Sequence, residues 1–267
     1  MPDPITNCQK DFFKLGLVGK KLGHSLSPGI HSLFAEQTKV KITYDLFEFE
    51  TEQKFLDWFS NNDLDGFNIT IPYKETLIGN LDSVSPEVEK IGALNTVLYF
   101  NEKTYGFNTD IFGIAETLKE VEKSTTLVFG SGGAAKALIY FLQDKSDKIF
   151  VYNRTKSKAL EIQEKFGNKV KIVEKSDLDF CVKKSILIAN CTPLGMFPIL
   201  DSMPYKFNSS LKGKTVFDMI YTPRKTFFLR DAEKLGAKVI NGFEMLACQA
   251  ARSFEIWTAR EITNKNV

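Results

Sequence analysis

The sequence is poor in histidine and cysteine, the residue types that most often hold metals in proteins. Its 267 residues include only two histidines, too few for most metal cages. The four cysteines, Cys8, Cys181, Cys191 and Cys248, lie far apart and form no C-x-x-C pair. This spacing predicts reduced thiols and argues against a disulfide framework or a zinc site. We therefore expect no bound metal.

The chain also lacks a long apolar run and any block of like charge. No run approaches the roughly 18 apolar residues that cross a membrane, and the first residues, MPDPITNCQKDFFKLGLVG, fit neither a signal peptide nor a transit peptide. Basic and acidic residues number 35 and 33, mixed along the chain, for a formal net charge of +2. These absences predict a cytoplasmic protein that binds neither membranes nor nucleic acid. They leave a monomer and a homodimer open.

What the sequence has instead is an alternation of strand-like and helix-like segments from end to end. The first half reads as β-α-β-α-β followed by a pair of strands, and a helical pattern then runs from Ile111 to Val121. A second series of strands and helices from Thr125 resembles a doubly wound parallel sheet, and a last helical segment follows it. Because the chain is longer than one average domain, we predict an α/β fold of two domains.

The second series opens with a glycine-rich turn between a strand and a helix, TTLVFGSGGAAKAL. Gly130 would allow a tight turn, Gly132 would let the backbone approach a pyrophosphate, and Ala135 would lie where helix and strand pack. The N-terminus of the helix would supply N–H donors to that anion. A dinucleotide is the expected ligand, with an ordinary glycine turn of an α/β protein as the alternative.

The next strand ends in VYNRTKSK, at the place where proteins that prefer NAD carry an acidic residue. A carboxylate there would repel the 2′-phosphate of NADP. Arg154 can instead bind that phosphate with its planar fork, while Asn153 and Thr155 add neutral contacts. Lys158 adds a second positive charge one helical turn on. We therefore predict NADP, with a solvated lysine-rich loop as the alternative.

Two serines near the start of the chain stand beside a predicted helix start, in GKKLGHSLSPGIHSLF. Ser27 is the expected N-cap, with Pro28 in the first turn. Capping does not explain Ser25. Two hydroxyls beside a helix N-terminus can hold a small carboxylate without a buried counter-charge.

Further polar residues interrupt the apolar strands of the first half. Asn68 and Thr70 end a strand shortly before Lys74. Asn95 stands in GALNTV and Asp110 in GFNTDIFG. Each has an ordinary explanation as a solvated side chain, a turn former or a helix cap. Together they suit a polyhydroxylated acid, and Lys74 with Asp110 could take the hydroxyl proton while a hydride leaves for a nicotinamide.

A series of motifs runs in a fixed order between Gly16 and about Trp257: S-x-S-P, N-x-T-x-P-x-K, G-A-x-N-T, G-x-N-T-D, G-x-G-G-A-A, N-R-T, D-M-x-Y-x-P and G-x-x-M-L-x-x-Q-A. The series resembles the shikimate dehydrogenases. The resemblance implies an NADP-dependent enzyme that interconverts shikimate and 3-dehydroshikimate in aromatic amino-acid (chorismate) biosynthesis. It also implies an N-terminal α/β substrate-binding domain of residues 1–107, completed by a C-terminal helix in residues 242–267, and a Rossmann NADP-binding domain of residues 108–241.

By the same resemblance, Lys74 and Asp110 match the catalytic pair. The positions that match substrate contacts are Ser25, Ser27, Asn68, Thr70, Asn95, Tyr221 and Gln249. Those that match cofactor contacts are Gly130, Ser131, Gly132, Gly133, Ala134, Asn153, Arg154, Thr155, Lys158, Thr192, Met219 and Gly242. Because Gly242 follows the last strand, we expect the helix that bears Gln249 to return to the substrate domain.

The chain departs from the resemblance at Ser32, where asparagine is common, and at Ser131, where alanine is usual. Neither change alters the expected chemistry. One alternative is a quinate or broad-specificity quinate/shikimate dehydrogenase, although the missing acid near Arg154 argues against the branch that uses NAD. The other is a non-catalytic sensor of NADP, against which the presence of both Lys74 and Asp110 argues.

Overall fold

The structure, a computed structural model, describes residues 10–263, so that Cys8 lies outside it. The chain divides into two compact units. One comprises the chain up to Gly113 together with the residues from Ala247 onward, and the other is Ile114–Leu246. Within residues 10–263, no helix combines the length and the apolar character that crossing a bilayer requires.

Strands and helices alternate along both units. The strands of the first unit are β1 (Phe12–Gly19), β2 (Lys41–Glu48), β3 (Gly66–Ile69), β4 (Ser83–Val84), β5 (Thr96–Phe100) and β6 (Lys103–Phe107). Its helices are α1 (Ser27–Thr38), α2 (Glu52–Phe59), α3 (Pro86–Ile91) and the start of α4 (Asp110–Thr117). The strands of the second unit are β7 (Ser124–Phe129), β8 (Ser146–Tyr152), β9 (Val170–Ile172), β10 (Leu187–Asn190), β11 (Thr215–Asp218) and β12 (Lys238–Asn241). Its helices are α5 (Gly133–Lys145), α6 (Lys156–Phe166), α7 (Leu178–Lys184) and α8 (Phe227–Lys234), and α9 (Phe243–Thr258) begins there and ends in the first unit.

The first unit is built on a mixed sheet in the order β2-β1-β3-β5-β6-β4. β1 lies between β2 and β3 and is parallel to both, whereas β5 is antiparallel to its neighbours β3 and β6. Consecutive residues are buried along β3 and along the second half of β1, so both faces of the sheet are covered there. Val18, Phe55, Phe67 and Leu77 form part of one buried core.

The second unit contains a sheet in the order β12-β11-β10-β7-β8-β9, with every neighbouring pair parallel. If β7 is counted as strand 1 and the sheet is followed from β9 to β12, the order is 3-2-1-4-5-6, which is that of a doubly wound dinucleotide-binding fold. The prediction of an α/β protein with a Rossmann unit is confirmed. In such sheets ligands bind at the carboxyl ends of the strands where the order reverses, here β7 and β10.

The segment between β3 and β5 differs from the sequence-based expectation. Periodicity predicts an irregular stretch there, but the structure forms β4 and α3. With six residues α3 is too short to show an apolar period, and its signals are local. Pro86 occupies its first turn and Gly92 follows its end in the left-handed conformation, with φ of 70°.

The helix predicted from Ile111 to Val121 is shorter than its apolar pattern. α4 ends at Thr117, and the chain then tightens into a turn in which the N–H of Val121 donates to the carbonyl of Leu118 at 3.0 Å. Such i→i+3 bonds commonly close the last turn of a helix. Beyond the end of the helix, Leu118 is buried and Val121 is half-buried.

Candidate active site

Lys74 and Asp110 form a mostly buried ion pair in the first unit. Nζ of Lys74 lies 2.5 Å from Oδ2 of Asp110, and the two side chains are 12% and 5% exposed. Lys74 follows β3 in a turn that is held by the bond from the N–H of Leu94 to the Lys74 carbonyl, at 2.8 Å. Asp110 is the first residue of α4. A shielded amine and carboxylate of this kind can pass a proton to and from a substrate hydroxyl.

Asn95 holds the second oxygen of Asp110. The backbone N–H of Thr109 donates to Oδ1 of Asn95 at 2.7 Å, which determines the orientation of the amide because only its oxygen can accept. Nδ2 of Asn95 then donates to Oδ1 of Asp110 and to Oε1 of Gln249, both at 3.0 Å. Gln249 lies on α9 and Asn95 directly precedes β5. The Asn95 amide therefore connects the last helix to the sheet.

Asn68 lies on β3, next to Asn95. Its Nδ2 donates to the carbonyl of Asn95 at 3.0 Å, and its Oδ1 accepts from the hydroxyl of Tyr44 at 2.9 Å. Nδ2 also lies 3.0 Å from Oγ of Ser253. Neither Tyr44 nor Ser253 was predicted from the sequence. The only signal for Ser253 was a small polar residue four positions after Gln249, which places the two on one helical face.

Tyr44 stacks on a second buried residue that sequence analysis did not single out. The ring of His31 lies 4.3 Å from the ring of Tyr44, with an interplanar angle of 15°. His31 is fully buried, and within the described chain neither of its ring nitrogens has a well-aligned hydrogen-bond partner. Burial lowers the pKa of His31 to about 3, and Asn68 opposes this shift only in part. The ring is therefore neutral near pH 7 and serves as packing.

The two serines differ from the predicted arrangement. Ser27 is the first residue of α1, and the N-cap position belongs to Leu26, so the prediction of Ser27 as the cap is wrong. The hydroxyl oxygen of Ser25 accepts from the N–H of Ser27 at 3.3 Å because the turn before the helix folds Ser25 back over its first residue. Ser25 is half-buried and Ser27 is buried. Both hydroxyls thus lie at the N-terminus of α1, where an anion is favoured.

Thr70 lies just beyond β3 and is half-buried. Its N–H donates to the carbonyl of Val18 at 2.8 Å, which continues the β1–β3 ladder by one residue. A Cβ at Gly19 would lie 2.7 Å from Cγ2 of Thr70. Gly19 therefore leaves the space that Thr70 occupies.

The glycine turn of the second unit follows β7. Gly130 has φ of +111°, and a Cβ there would lie 3.0 Å from the carbonyl oxygen of Cys191, so both conformation and packing require glycine. A Cβ at Gly132 would meet no atom within 4 Å. Packing does not require glycine at that position, and the space before α5 is open to a ligand.

The N-terminus of α5 fits a phosphate group. Gly132 occupies the N-cap position and, within the described chain, no side chain caps the helix. Gly133 and Ala134 form the first turn, and the side chain of the preceding Ser131 is nearly buried. N–H groups at an uncapped helix N-terminus are donors that an anion can use. The residues present therefore fit the pyrophosphate of a dinucleotide.

The basic residues predicted to select NADP lie together after β8. Arg154, Thr155 and Lys158 are exposed, and Thr155 is the N-cap residue of α6. Nδ2 of Asn153 donates to the carbonyl of Thr155 at 2.9 Å and so shapes the loop that carries Arg154. This loop presents its positive charge at the end of the second strand of the doubly wound sheet, where the adenosine ribose binds in this fold.

Thr192 follows β10 and is held by Asn190. Oδ1 of Asn190 accepts from the N–H of Thr192 at 3.0 Å and from its hydroxyl at 2.7 Å. Nδ2 of Asn190 donates to Oδ1 of Asp218 at 3.1 Å. Burial raises the pKa of Asp218 to about 6, and hydrogen bonds from Thr226, the backbone of Ile220 and Asn190 oppose this shift. Asn190 and Asp218 were missed because they read as polar ends of apolar strands.

Met219, Tyr221 and Gly242 lie beyond the ends of β11 and β12. The N–H of Met219 donates to the carbonyl of Asn190 at 3.1 Å. A Cβ at Gly242 would lie 2.0 Å from the carbonyl oxygen of Met219, so the start of α9 can approach β11 only with glycine there. Tyr221 is half-buried in the loop after β11.

Three sequence-family models match the chain. They describe a shikimate dehydrogenase substrate binding domain at residues 17–97, a shikimate / quinate 5-dehydrogenase at residues 114–224 and a shikimate 5′-dehydrogenase C-terminal domain at residues 242–262. The three matches follow one another along the chain. The first match contains Lys74 and Asn95, and the second contains the glycine turn at Gly130.

Curated and solved relatives match over most of their length. The shikimate dehydrogenase (NADP(+)) of Caldicellulosiruptor saccharolyticus is 42% identical, with 91% of each protein covered. The crystal structure of the shikimate 5-dehydrogenase from Thermus thermophilus in complex with NADP(H) and shikimate is 32% identical, with a TM-score of 0.81 over 93% of this chain and 94% of that one. A quinate dehydrogenase from Corynebacterium glutamicum in complex with NAD is 25% identical, with a TM-score of 0.83 over 94% of this chain and 95% of that one.

The doubly wound sheet and its glycine turn define the second unit as the nucleotide-binding part of an α/β oxidoreductase. The first unit contains the buried Lys74–Asp110 ion pair. On the identity and coverage of its relatives, the chain belongs to the shikimate dehydrogenase family.

Proposed function

We propose that this protein interconverts shikimate and 3-dehydroshikimate by hydride transfer with NADP, in chorismate biosynthesis in the cytoplasm. The observation that carries the proposal is the buried Lys74–Asp110 pair beside the amide of Asn95. The domain division predicted from the sequence belongs to the same proposal. Residues 1–107 with the C-terminal helix would bind the substrate, and residues 108–241 would bind NADP.

Oxidation of a secondary alcohol separates a hydride from the carbon and a proton from the hydroxyl oxygen. NADP held by the second unit would supply the acceptor for the hydride. In the oxidation direction the neutral amine form of Lys74 would take the hydroxyl proton at Nζ, and in the reverse direction the resulting ammonium would return it to the forming alcohol. Oδ2 of Asp110 orients that amine at 2.5 Å, and Oδ1 is held in turn by Asn95. The pair therefore moves one proton at a fixed point on the substrate.

The substrate is a carboxylic acid with several hydroxyl groups. In the proposal, the hydroxyls of Ser25 and Ser27 at the N-terminus of α1 take the carboxylate. Amide and hydroxyl groups that both donate and accept suit the ring hydroxyls. The residues assigned to the rest of the substrate are Asn68, Thr70, Asn95, Tyr221 and Gln249.

The cofactor residues of the proposal lie in the second unit. The pyrophosphate would bind at the turn formed by Gly130, Ser131, Gly132, Gly133 and Ala134, where the open space before α5 supports it. Asn153, Arg154, Thr155 and Lys158 would take the 2′-phosphate. Thr192, Met219 and Gly242 would line the nicotinamide side.

The experiment is the initial rate of nicotinamide reduction with shikimate or quinate as substrate and NADP or NAD as cofactor. Fast turnover with shikimate and NADP supports the proposal. Faster turnover with quinate would mean that quinate is the preferred substrate, and faster turnover with NAD would mean that NAD is the preferred cofactor. Absence of turnover in all four combinations would favour a sensor of NADP.

Lys74→Ala tests the catalytic assignment. We expect the variant to lose most of its rate, on the order of a thousandfold, and to bind NADP as the wild type does. Lys54→Ala is the matched control because Lys54 is exposed on α2 of the same unit. Equal rates for the two variants would refute the role of Lys74.

A further inference from the structure

Three buried hydroxyl groups meet beside the Asn95 amide. Oγ of Ser253 lies 2.8 Å from Oγ1 of Thr96 and 3.0 Å from Oγ1 of Thr109, and the two threonine oxygens are 3.3 Å apart. All three side chains are 0% exposed. They come from α9, β5 and the residue before α4, so only the tertiary fold unites them. Burying hydroxyls is costly unless they are hydrogen-bonded, and apolar side chains could fill the same space.

The hydrogens of the Asn95 amide are shared among more acceptors than they can serve. Nδ2 carries two hydrogens. It lies 2.9 Å from Oγ1 of Thr109, 3.0 Å from Oδ1 of Asp110 and 3.0 Å from Oε1 of Gln249. The amide cannot flip because the N–H of Thr109 holds its oxygen. The Thr109 hydroxyl therefore competes with Asp110 and Gln249 for a hydrogen whenever its lone pair faces Asn95.

Ser253 is one of the hydrogen-bond partners of the Thr109 hydroxyl. Oγ of Ser253 accepts from Nδ2 of Asn68 at 3.0 Å. Its own hydrogen has three acceptors within reach, which are the carbonyl of Gln249 at 3.1 Å, Oγ1 of Thr109 at 3.0 Å and Oγ1 of Thr96 at 2.8 Å. When that hydrogen points to Oγ1 of Thr109, it occupies a lone pair that Asn95 would otherwise use. Both hydrogens of Asn95 then remain on Asp110 and Gln249.

We infer that Ser253 and Thr109 are positioning residues for proton transfer, and that they act through the amide of Asn95. Their hydroxyls direct this amide onto Oδ1 of Asp110, and the carboxylate is thereby prevented from rotating away from Nζ of Lys74. The inference rests on the proposed function, since it assigns the pair a part in the same reaction.

The chain offers matched variants for a test. Thr109→Val replaces the hydroxyl by a methyl group of similar size, and Thr109→Ser keeps the hydroxyl. Ser253→Ala removes the second hydroxyl. Thr258→Val is the control because Thr258 is also buried on α9. Among the described residues its hydroxyl bonds only locally, as a donor to the carbonyl of Phe254 at 2.8 Å and as an acceptor from the N–H of Arg260 at 3.3 Å.

The readout is kcat and KM for shikimate at saturating NADP. We expect Ser253→Ala and Thr109→Val to lower kcat roughly tenfold, as the loss of one well-placed hydrogen bond would do, while KM changes less than about threefold. Thr109→Ser should stay within about threefold of the wild type and Thr258→Val within about twofold. Losses in kcat no larger than that of Thr258→Val would overturn the inference.

A second readout separates positioning from general loosening of the fold. Ser253→Ala is combined with Asp110→Asn, and the residual rate is compared with that of Asp110→Asn alone. If Ser253 acts through Asp110, the added substitution leaves the residual rate unchanged. A further loss of about tenfold would mean an independent structural effect and would refute the inference.

The test still gives an answer if one variant does not fold or if the wild type shows no activity. Should Ser253→Ala not fold, the comparison of Thr109→Val with Thr109→Ser decides the question alone, since equal kcat values would overturn the inference. Should the wild type fail to oxidise shikimate at all, the proposed function fails and the inference loses its basis. The two failures are therefore distinguishable.

Discussion

Trp257 on α9 donates from its indole nitrogen to the carbonyl oxygen of Val97 on β5, at 2.8 Å. The indole reaches this carbonyl because the neighbouring strand β3 begins with Gly66, where a Cβ would lie 2.3 Å from Nε1 of Trp257. The helix that carries Gln249 is thereby fixed against the sheet. A contact outside the candidate site thus determines the geometry inside it.

Gly66→Ala should destabilise the protein and lower its activity together. The added methyl group must displace Trp257, which is 2% exposed, and overpacking of this kind costs about 1 to 3 kcal/mol. Urea denaturation and kcat/KM for shikimate measure the two effects. The control is Gly79→Ala, because a Cβ at Gly79 meets nothing within 4 Å. If both variants unfold at the same urea concentration, the packing argument is wrong.

Arg154→Ala should weaken NADP selectively. The 2′-phosphate loses a charge-assisted, bidentate partner, so KM for NADP should rise by about tenfold or more while KM for NAD is unchanged. Arg230→Ala provides the control, since Arg230 is an exposed arginine on α8 of the same unit that lies over the ring of Phe227. Equal changes for both cofactors would show that Arg154 does not read the phosphate.

Asp218 should make the protein more stable in mild acid. Burial raises the pKa of its carboxyl to about 6, so the folded state binds a proton that the unfolded chain, with a pKa near 3.8, binds less tightly. The contribution of this group is greatest below about pH 4 and is lost as the pH rises through 6, a change of about 3 kcal/mol at most. Relative to Asp218→Asn, the wild type should gain free energy of unfolding between pH 7 and pH 4. Parallel curves in urea titrations would contradict this.

His31 should have the opposite effect. Burial lowers the pKa of its ring to about 3 in the folded state, whereas the ring in the unfolded chain has a pKa near 6.5. Between these two values the unfolded chain binds a proton that the folded state does not bind. Stability is fully present above pH 6.5 and falls by about 1.4 kcal/mol per pH unit below it, until the folded pKa is reached. Removing the titrating ring with His31→Phe should flatten this acid dependence in urea unfolding at pH 7, 5.5 and 4.5. An unchanged slope would mean that the ring becomes protonated in the folded state.

Much of the second unit could be predicted from the sequence because its signals are local. The turn at Gly130 is encoded by residues next to one another, and the positive φ and close approach at that position allow only glycine. The alternation of strands and helices predicts the doubly wound sheet for the same reason. The end of α4 and the short α3 were not predictable from periodicity, since a turn of bonds and a six-residue helix leave no apolar period.

The helix cap of α1 shows how a local rule can select the wrong residue. A serine before Pro28 is the usual cap, yet Leu26 takes that position and Ser25 accepts the N–H of Ser27. The sequence contains both serines, and the choice between them depends on how the preceding turn is held against Leu22. The residue types before a helix therefore predict that a capping hydrogen bond forms more reliably than they predict which residue provides it.

The α/β class, the two series of strands and the residue types of the candidate site follow from the amino-acid sequence alone, because they depend on local propensity and on motifs in a fixed order. The motifs suggested the pairing of Lys74 with Asp110, and the fold brings the two into contact. The contact of Thr109 with Ser253, 144 positions later, is visible only in three dimensions. Hydroxyl and amide side chains follow no sequence period from which their hydrogen-bond partners could be predicted. Their pairing is decided by which buried donors and acceptors the packing of strands and the last helix brings within reach, since each one left unpaired would cost free energy.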